Sequence, residues 1–574
     1  MKIIEVSPIS SKVAKDTLTY FSSKDVFVGD IVSIGVRKQT YDALVVAVYD
    51  LQNKKMDVKA SNFSLKKIKG LKGPAPFYKE FFEACHAIQK FFLGNLGQII
   101  NHFLPSFFLE KYEELPKLKK RISGKSVLHI GPTIQYADNL FKNTKEKNTF
   151  LIHNKIPKKK LLKTYLDILN SEEPVTIVTT PSFIFIPRHD LGQLIIHDEG
   201  NSAYRTIKRP YLDMRVFFKK FAEITNLKII FENPETLETI TDQKTSYLKI
   251  PKIKIVDMSK KELRHKNSFI FSEISFEKIK SSDFTLLFSL KKGFGNTIVC
   301  HDCGKQIKDG DVALALKFKG DERILFNPHT GETFDTKRRC EDCGSWNFDT
   351  LGIGTDTIFE EAKKLFPKKE IFQIDSNSIK TKKQIENQIQ KFYERKNSIL
   401  IATELVLPYL EQKIDFCAVV SIDALFSLPS FRVSEKILRL VRTITDKSND
   451  SLIQTRNPQN GIIKSLAKGE LTEFFEIEKE MRKRFSYPPF GTIIRLSRIS
   501  KKDDFKTHVS PFLERLSDIK PSVRYLKRGK LFESIIVFKI SKADWSENTQ
   551  KDSLFGVLSS LGADWQARVN PDVL

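Results

Sequence analysis

Short apolar runs punctuated by turn residues open the chain: Val26-Phe27-Val28, Ile31-Val32-Ser33-Ile34 and the stretch from Ala43 to Val48, broken at Gly29-Asp30. They predict a small β-rich module over residues 1 to about 60. Residues 78 to 109 read as helical and are rich in aromatics, and the basic stretch Lys117-Leu118-Lys119-Lys120-Arg121 after them suits a linker or a phosphate contact. From 127 to about 232, strand-like runs alternate with helical segments: Val127-Leu128-His129-Ile130, Val175-Thr176-Ile177-Val178, Leu194-Ile195-Ile196 and Leu227 to Phe231. Such alternation predicts a parallel sheet with crossover helices. A second α/β series runs from about 284 to 455, with strands at Thr285 to Phe288, Ile371 to Ile374, Ile399 to Ile401 and Ala418 to Val420. A last α/β module follows Tyr487-Pro488-Pro489-Phe490. No internal repeat and no low-complexity tract interrupts this order.

Length divides the pattern. A chain of 574 residues is too long for one core and suggests roughly three to five domains. Hydrophobic content of 40% and charged content of 29% describe a globular, not a disordered, chain. No stretch approaches the roughly 20 apolar residues of a membrane span. The start, Met1 to Asp16, carries no long apolar core and no small-residue cleavage site, so the expected location is the cytoplasm. Lys and Arg total 95 against 70 Asp and Glu, a net charge of +25. That excess favours a polyanionic partner, because each neutralised phosphate releases counterions. A membrane surface or ribosomal RNA would accept the same charge, and a generally lysine-rich composition is the alternative explanation.

The six cysteines are unevenly placed. Cys85 and Cys417 stand singly in apolar surroundings and read as buried core thiols. The other four form two pairs, Cys300-His301-Asp302-Cys303-Gly304 and Cys340-Glu341-Asp342-Cys343-Gly344. Each is a tight turn presenting two thiolates. Two such turns complete a tetrahedral shell for one Zn²⁺, and a closed shell leaves no open position, so the metal is structural. The 36 residues between the pairs exceed a minimal finger and predict a small subdomain looped out between them.

Several segments together resemble the PriA replication-restart helicase family (primosomal protein N′). Leu286 to Phe294, running into Cys300-His301-Asp302-Cys303-Gly304, is similar to the family's helicase-to-zinc junction. Gly352-Ile353-Gly354-Thr355-Asp356, Phe366-Pro367, Ile453-Gln454-Thr455 and Tyr487-Pro488-Pro489-Phe490-Gly491 match as well. Leu428 to Glu435 resembles its Leu-Pro-Asp-Phe-Arg-Ala-Ala-Glu segment, and Arg568-Val569-Asn570-Pro571 its Asp-Val-Asp-Pro ending. Upstream, Leu191 to Glu199 resembles the Walker B strand, followed by Ser202-Ala203-Tyr204 and Pro210-Tyr211. The resemblance runs in order over nearly the whole chain. It implies an α/β multidomain architecture: an N-terminal 3′-end DNA-binding-like domain (1–112), a truncated first RecA-like helicase lobe (113–240), a second lobe (241–470) carrying a four-cysteine zinc insertion (296–350), and a C-terminal α/β domain (471–574). Relatives nest a second zinc site between the two cysteine pairs. Residues 304–339 contain no cysteine here, so one zinc per chain is expected.

The departures from the family decide the expected activity. A P-loop needs GxxxxGK[ST] leading into a helix. The nearest string, Gly124-Lys125-Ser126, has Lys119 where the first glycine belongs and precedes a strand-like run. The Walker B series survives as Asp198-Glu199-Gly200-Asn201, in which Asp198 and Glu199 retain the chemistry to hold Mg²⁺ and a water. The family's arginine-finger segment falls near Arg442 to Lys447 without its Gly-Arg pattern. ATP and Mg²⁺ are therefore not expected as working cofactors, and one structural Zn²⁺ is. Chemistry for holding DNA persists: Tyr204, Lys208, Arg209, Tyr211 and Arg215 lie in the stretch resembling the aromatic-rich DNA-coupling loop, where rings stack on bases and cations meet phosphates. Lys291 and Lys292 stand where the family has two arginines, and Thr19-Tyr20 where an acid and a tyrosine read a 3′ end. The resemblance implies a cytoplasmic, nucleoid-associated scaffold that binds forked or single-stranded DNA, with single-stranded-DNA-binding protein and primosome proteins as partners and no membrane. An active ATP-dependent 3′-5′ DNA helicase is the first alternative. A zinc-containing RNA- or ribosome-binding protein is the second.

Overall fold

The apolar runs at the start of the chain become, in a computed structural model of the protein, a six-stranded sheet. The structure describes residues 2–572 except 14, 51–64, 145, 243–249, 269, 291–295, 301, 304, 311, 320, 321, 328–331, 336, 337, 352, 376–378, 380, 427–429, 515–518, 529, 530, 543, 544, 546–553, 555, 556, 559, 560 and 563. All strand counts are of these residues. The N-terminal sheet orders its strands Lys66–Lys67, Leu18–Ser22, Lys2–Pro8, Gln39–Asp50, Asp30–Val36 and Gly70–Pro74. Neighbouring side chains of one strand leave its two faces. Val32 and Ile34 therefore join a core with Ile4, Val6 and Tyr20, while Ile31 joins a second core on the other face.

That second core is largely aromatic. Helix Lys79–Phe92 buries Phe81, Ala84, Cys85, Ile88 and Phe92 along one stripe. Phe81 and Phe103 meet Phe217 of helix Met214–Thr225, the ring centroids 5.8 and 4.1 Å apart. The N-terminal helices thereby pack directly on the first parallel sheet. Its strands run in the order Lys228–Phe231, Leu191–Ile196, Ser126–Ile130, Thr176–Thr179 and Thr149–Ile152, all parallel. Every carboxyl end therefore lies on one edge, where loops of such sheets meet ligands.

The second parallel sheet has six strands: Lys254–Asp257, Ser448–Thr455, Ile414–Ser421, Phe284–Ser289, Ser398–Ala402 and Glu370–Ile374. Strand Lys254–Asp257 went unread in the sequence because it is short and lies at an edge, and only Val256 of its four residues is buried. Between strand Phe284–Ser289 and helix Thr355–Leu365 the chain leaves the sheet to build an antiparallel subdomain from Asn296–Cys300, Ala315–Lys319, Glu322–Phe326, Thr333–Phe334 and Phe348–Leu351. The last sheet is antiparallel, ordered Ser522–Arg528, Leu531–Ser541, Gly491–Ser500 and Trp565–Val569. Trp545 packs on Phe91, which ties this end of the chain back to the N-terminal helices. Among the described residues no helix is long and apolar enough to cross a membrane.

Candidate cleft and metal centre

The two parallel sheets border a cavity of about 1230 Å³, whose lining includes Thr133, Tyr136, Asp198, Glu232, Glu235 and Arg439. Gly124-Lys125-Ser126 takes no part in it. Ser126 is the first residue of a strand, and its buried hydroxyl donates to Asp190 at 2.8 Å while accepting from the Val175 amide at 3.0 Å. A Cβ on Gly124 would fall 1.9 Å from the Asp190 carbonyl oxygen. Strand packing accounts for this glycine, as a phosphate cradle does not.

Strand Leu191–Ile196 delivers three consecutive residues to the cleft edge, and each is occupied by protein. His197 donates from Nδ1 to Glu232, 2.5 Å away, and its Nε2 lies 2.9 Å from Nδ1 of His129. Burial, and then the neighbouring His197, pulls His129 down to about 4. The His197 hydrogen bond holds Glu232 below the ordinary carboxylate range. Asp198 has a left-handed backbone, φ 47°, which aspartate tolerates better than most residues. Its carboxylate takes Arg439 through Nε at 2.8 Å and through a second guanidinium nitrogen at 3.2 Å. Glu199 is 1% exposed and accepts from the Glu235 amide at 3.1 Å, the Thr236 hydroxyl at 2.6 Å and the Thr239 hydroxyl. The pair read as a remnant Walker B is thus an internal anchor. Glu199 is buried away from the cavity, and Asp198, which lines it, is engaged by Arg439, whereas that chemistry needs both carboxylates free for metal and water.

Arg442, considered as a finger remnant, donates instead to the carbonyls of Asn233 and Pro234 at 3.2 and 3.1 Å. No motif marks Arg439, which lies one helical turn before it on helix Val433–Lys447. Glu235 was also missed. It is 5% exposed, and burial, followed by the nearby Asp198 charge, pushes its carboxyl up to about 7 against the pull of Arg439 and Arg442. Folded Glu235 is then protonated at pH values where the unfolded chain has it ionised. Its contribution to stability is present below about 4.5 and is lost as pH rises through about 7. Stability measured by thermal unfolding from pH 4 to 9 is expected to fall by about 3 kcal/mol between about pH 4.5 and 7 and to level off above, and Glu235→Gln should flatten that slope.

The residues expected to meet DNA separate into two groups. Tyr204 is fully buried and donates its hydroxyl to the carbonyls of Ile130 and His197 at 2.9 and 2.7 Å, so it cannot stack on a base. Arg215 is 7% exposed, pairs with Asp213 and donates to the Glu199 carbonyl. Tyr20 is a core residue whose hydroxyl donates to the Gly35 carbonyl at 2.8 Å, whereas Thr19 faces outward and is half-buried. Aromatic and charged residues in one short loop carry no mark of which side of it will be packed. Lys208 and Arg209 are exposed, although Arg209 donates to the Trp565 carbonyl. Tyr211 is half-buried beneath the Arg568 guanidinium, 4.6 Å from its ring centroid. Lys291 and Lys292 lie outside the described residues.

The four cysteines converge. Their sulfurs lie within 4.8 Å of one another, with Cys300–Cys343 at 3.4 Å and Cys303–Cys340 at 3.6 Å. A tetrahedron with Zn–S bonds of about 2.3 Å has edges of about 3.8 Å, so the set fits zinc after a slight expansion. Cys300 and Cys340 are buried, and Cys303 and Cys343 are exposed. The backbone amide of Cys303, against the opposing effect of burial, lowers the Cys300 thiol to about 7. Two positive neighbours of the cysteines are taken up locally: Lys305 by Asp342 and Arg338 by Glu341, both at 2.5 Å.

Comparison with known proteins gives no matching family model. Among curated proteins the chain is 28% identical over 400 residues to replication restart protein PriA of Borreliella burgdorferi, covering 65% of this chain and 58% of that one. It is 25% identical over 348 residues to PriA of Bacillus subtilis, covering 56% and 43%. The chain therefore spans about half the length of these relatives. Among solved structures, S. cerevisiae Dbp5 bound to RNA and ADP BeF3 covers 71% of the chain at 10% identity and a TM-score of 0.30. The DUF1998 helicase MrfA bound to DNA covers 82% at 11% identity and 0.28. Likenesses this loose carry no argument.

Proposed function

Because the chain belongs to the PriA-like family of replication restart proteins, we propose that it binds forked or single-stranded DNA as a scaffold that does not hydrolyse ATP. One observation carries the second half of that reading: both Asp198 and Glu199 are bound by groups of the protein itself, Asp198 by Arg439 and Glu199 by Thr236, Thr239 and the Glu235 amide. A phosphoryl-transfer site needs such carboxylates free for metal and water, together with a phosphate-cradling loop, and the sequence has no GxxxxGK[ST] string. The DNA half is supported by the charge of +25 and by the exposed Lys208 and Arg209.

In this reading the two parallel sheets are RecA-like lobes, expected at 113–240 and 241–470, although helix Leu237–Asp242 straddles that boundary and buries Leu237 and Ile240 in the second core. The first lobe is shortened, the N-terminal module (1–112) and the C-terminal module (471–574) flank the pair, and the zinc insertion is at 296–350. Partners would be forked or single-stranded DNA, single-stranded-DNA-binding protein and other primosome proteins, and the chain would work at the nucleoid in the cytoplasm. The test is an ATPase assay on the purified chain, with and without forked DNA, beside fork and duplex binding at two salt concentrations. No hydrolysis and tighter fork than duplex binding are expected. DNA-stimulated turnover that Asp198→Asn abolishes would overturn the non-hydrolysing reading, and equal affinity for fork and duplex the fork reading.

A further inference from the structure

The two parallel-sheet bodies are joined across the cleft by side chains whose burial and pairing make them more than incidental contacts. Glu199 follows a strand of the first body, and the helix beginning at Leu237 buries Leu237 and Ile240 in the core of the second. The Glu199 carboxylate therefore reaches from one body to cap the first turn of a helix belonging to the other, through the Glu235 amide and the Thr236 and Thr239 hydroxyls. Asp198, the residue before it, meets Arg439 of helix Val433–Lys447, another element of the second core. Gly200, the residue after it, has no room for a side chain: a Cβ there would lie 2.4 Å from a Glu235 oxygen and 2.9 Å from Arg439 Cδ. Three consecutive residues of the first body are thus fitted to the second.

The far end of the chain adds a third point. Asp572 pairs with Arg205 of the first body and lies 3.9 Å from Arg432 of the second. Arg432 is 4% exposed, and it pairs with Glu435 and Glu238. Burial opposes ionisation of Asp572, yet the charge of Arg205 holds its carboxyl below the ordinary range. A half-buried carboxylate between the half-buried Arg205 and the buried Arg432 resists separation of the bodies, since parting them would leave Asp572 and Arg432 with fewer partners.

We propose that Asp198, Glu199 and Asp572 form a clasp that keeps the two parallel-sheet bodies shut on each other, in place of the bound nucleotide that would close a motor cleft. In a motor, lobe closure is set by ligand contacts made in only one state. Here the contacts are made by side chains of the chain itself. The inference goes beyond the DNA reading and does not depend on it.

Amide hydrogen exchange on the full-length protein tests the clasp. The wild type should show the same protection at residues 198–206 and 233–240 with and without MgATP. Asp198→Asn combined with Asp572→Asn keeps both side-chain shapes and, at position 198, a residue tolerant of positive φ. In that variant those amides should exchange ~10-fold faster or more, while strands Ser126–Ile130 and Ile414–Ser421 keep their protection. Arg439→Lys, which keeps the charge but loses the two-point contact, should fall between. Wild-type protection that rises on adding MgATP would overturn the proposal. So would an unchanged variant, or loss of protection in the core strands in step with the cleft. None of these readouts involves DNA, so failure of the clasp and failure of the DNA reading are separable.

Discussion

Removal of zinc is expected to unfold the segment from Asn296 to Leu351 and to leave both parallel sheets folded. The subdomain's core is small: Ile298, Ile307, Leu314 and Leu325, with two of the cysteines themselves, Cys300 and Cys340, as its remaining buried members. A core of that size does not offset the chain entropy of its strands. In such modules the free energy of metal binding is folding free energy, about 10–16 kcal/mol for structural zinc in finger peptides. The cores of the second parallel sheet contain no residue between 290 and 353 among their buried members, so they should survive. Chelation, or Cys340→Ser, should therefore open the segment to protease while the main unfolding transition stays in place. Metal analysis should return one zinc per chain. Two would contradict the loss of the inner site, and retention of protease resistance after chelation would contradict the dependence on metal.

Arg432→Ala should destabilise the chain by about 3–5 kcal/mol, the range for stripping one partner from a buried ion pair. Arg432 gives Glu238 two contacts, at 3.0 and 2.7 Å, and one to Glu435 at 3.1 Å. Burial raises the Glu238 carboxyl, but the Arg432 charge overcomes it and carries the group well below the ordinary range. Glu435 retains Arg482 at 2.9 Å when Arg432 is lost, whereas Glu238 pairs with Arg432 itself. The damage should therefore centre on Glu238. Adding Glu238→Gln to Arg432→Ala should recover part of the loss in denaturant unfolding, and additive effects of the two substitutions would contradict the assignment. Since Glu238 owes its stabilising part to a depressed carboxyl, that contribution is present above the ordinary carboxylate range and disappears on acidification. Glu235 acts in the opposite direction, losing its contribution as pH rises through about 7. The two together make their joint contribution greatest in mildly acidic solution, near the ordinary carboxylate range.

How far the sequence could be read depended on whether a residue's environment was local. Four strands of each parallel sheet announced themselves because a strand covered on both faces is a continuous apolar run, as in Ile399-Leu400-Ile401. Thr149–Ile152 and Ser448–Thr455, more polar or more exposed along their length, did not. The zinc ligands were legible for a similar reason: each Cys-x-x-Cys turn is complete within five residues, and only the distance between turns was left to the fold. Strand Lys254–Asp257, lying at a sheet edge, was not legible because it carries too little buried surface to show as a pattern.

The cleft shows the limit most clearly. The string Asp198-Glu199 promised metal chemistry, and Tyr204 and Arg215 promised contact with nucleic acid, because those residue types suit those tasks. Whether a carboxylate faces solvent or an arginine 241 positions away is decided by packing between elements distant in sequence. Arg439, Thr236 and Glu235 had no motif to mark them, and Asp572 meets Arg205 across 367 residues. The sequence by itself determined the order of sheets, the family resemblance and the four cysteines that cluster at metal-binding distance, all carried by local pattern and local covalent geometry. Only the tertiary structure decided that the acids at the cleft are paired, because the energy of a charge depends on which groups surround it after burial.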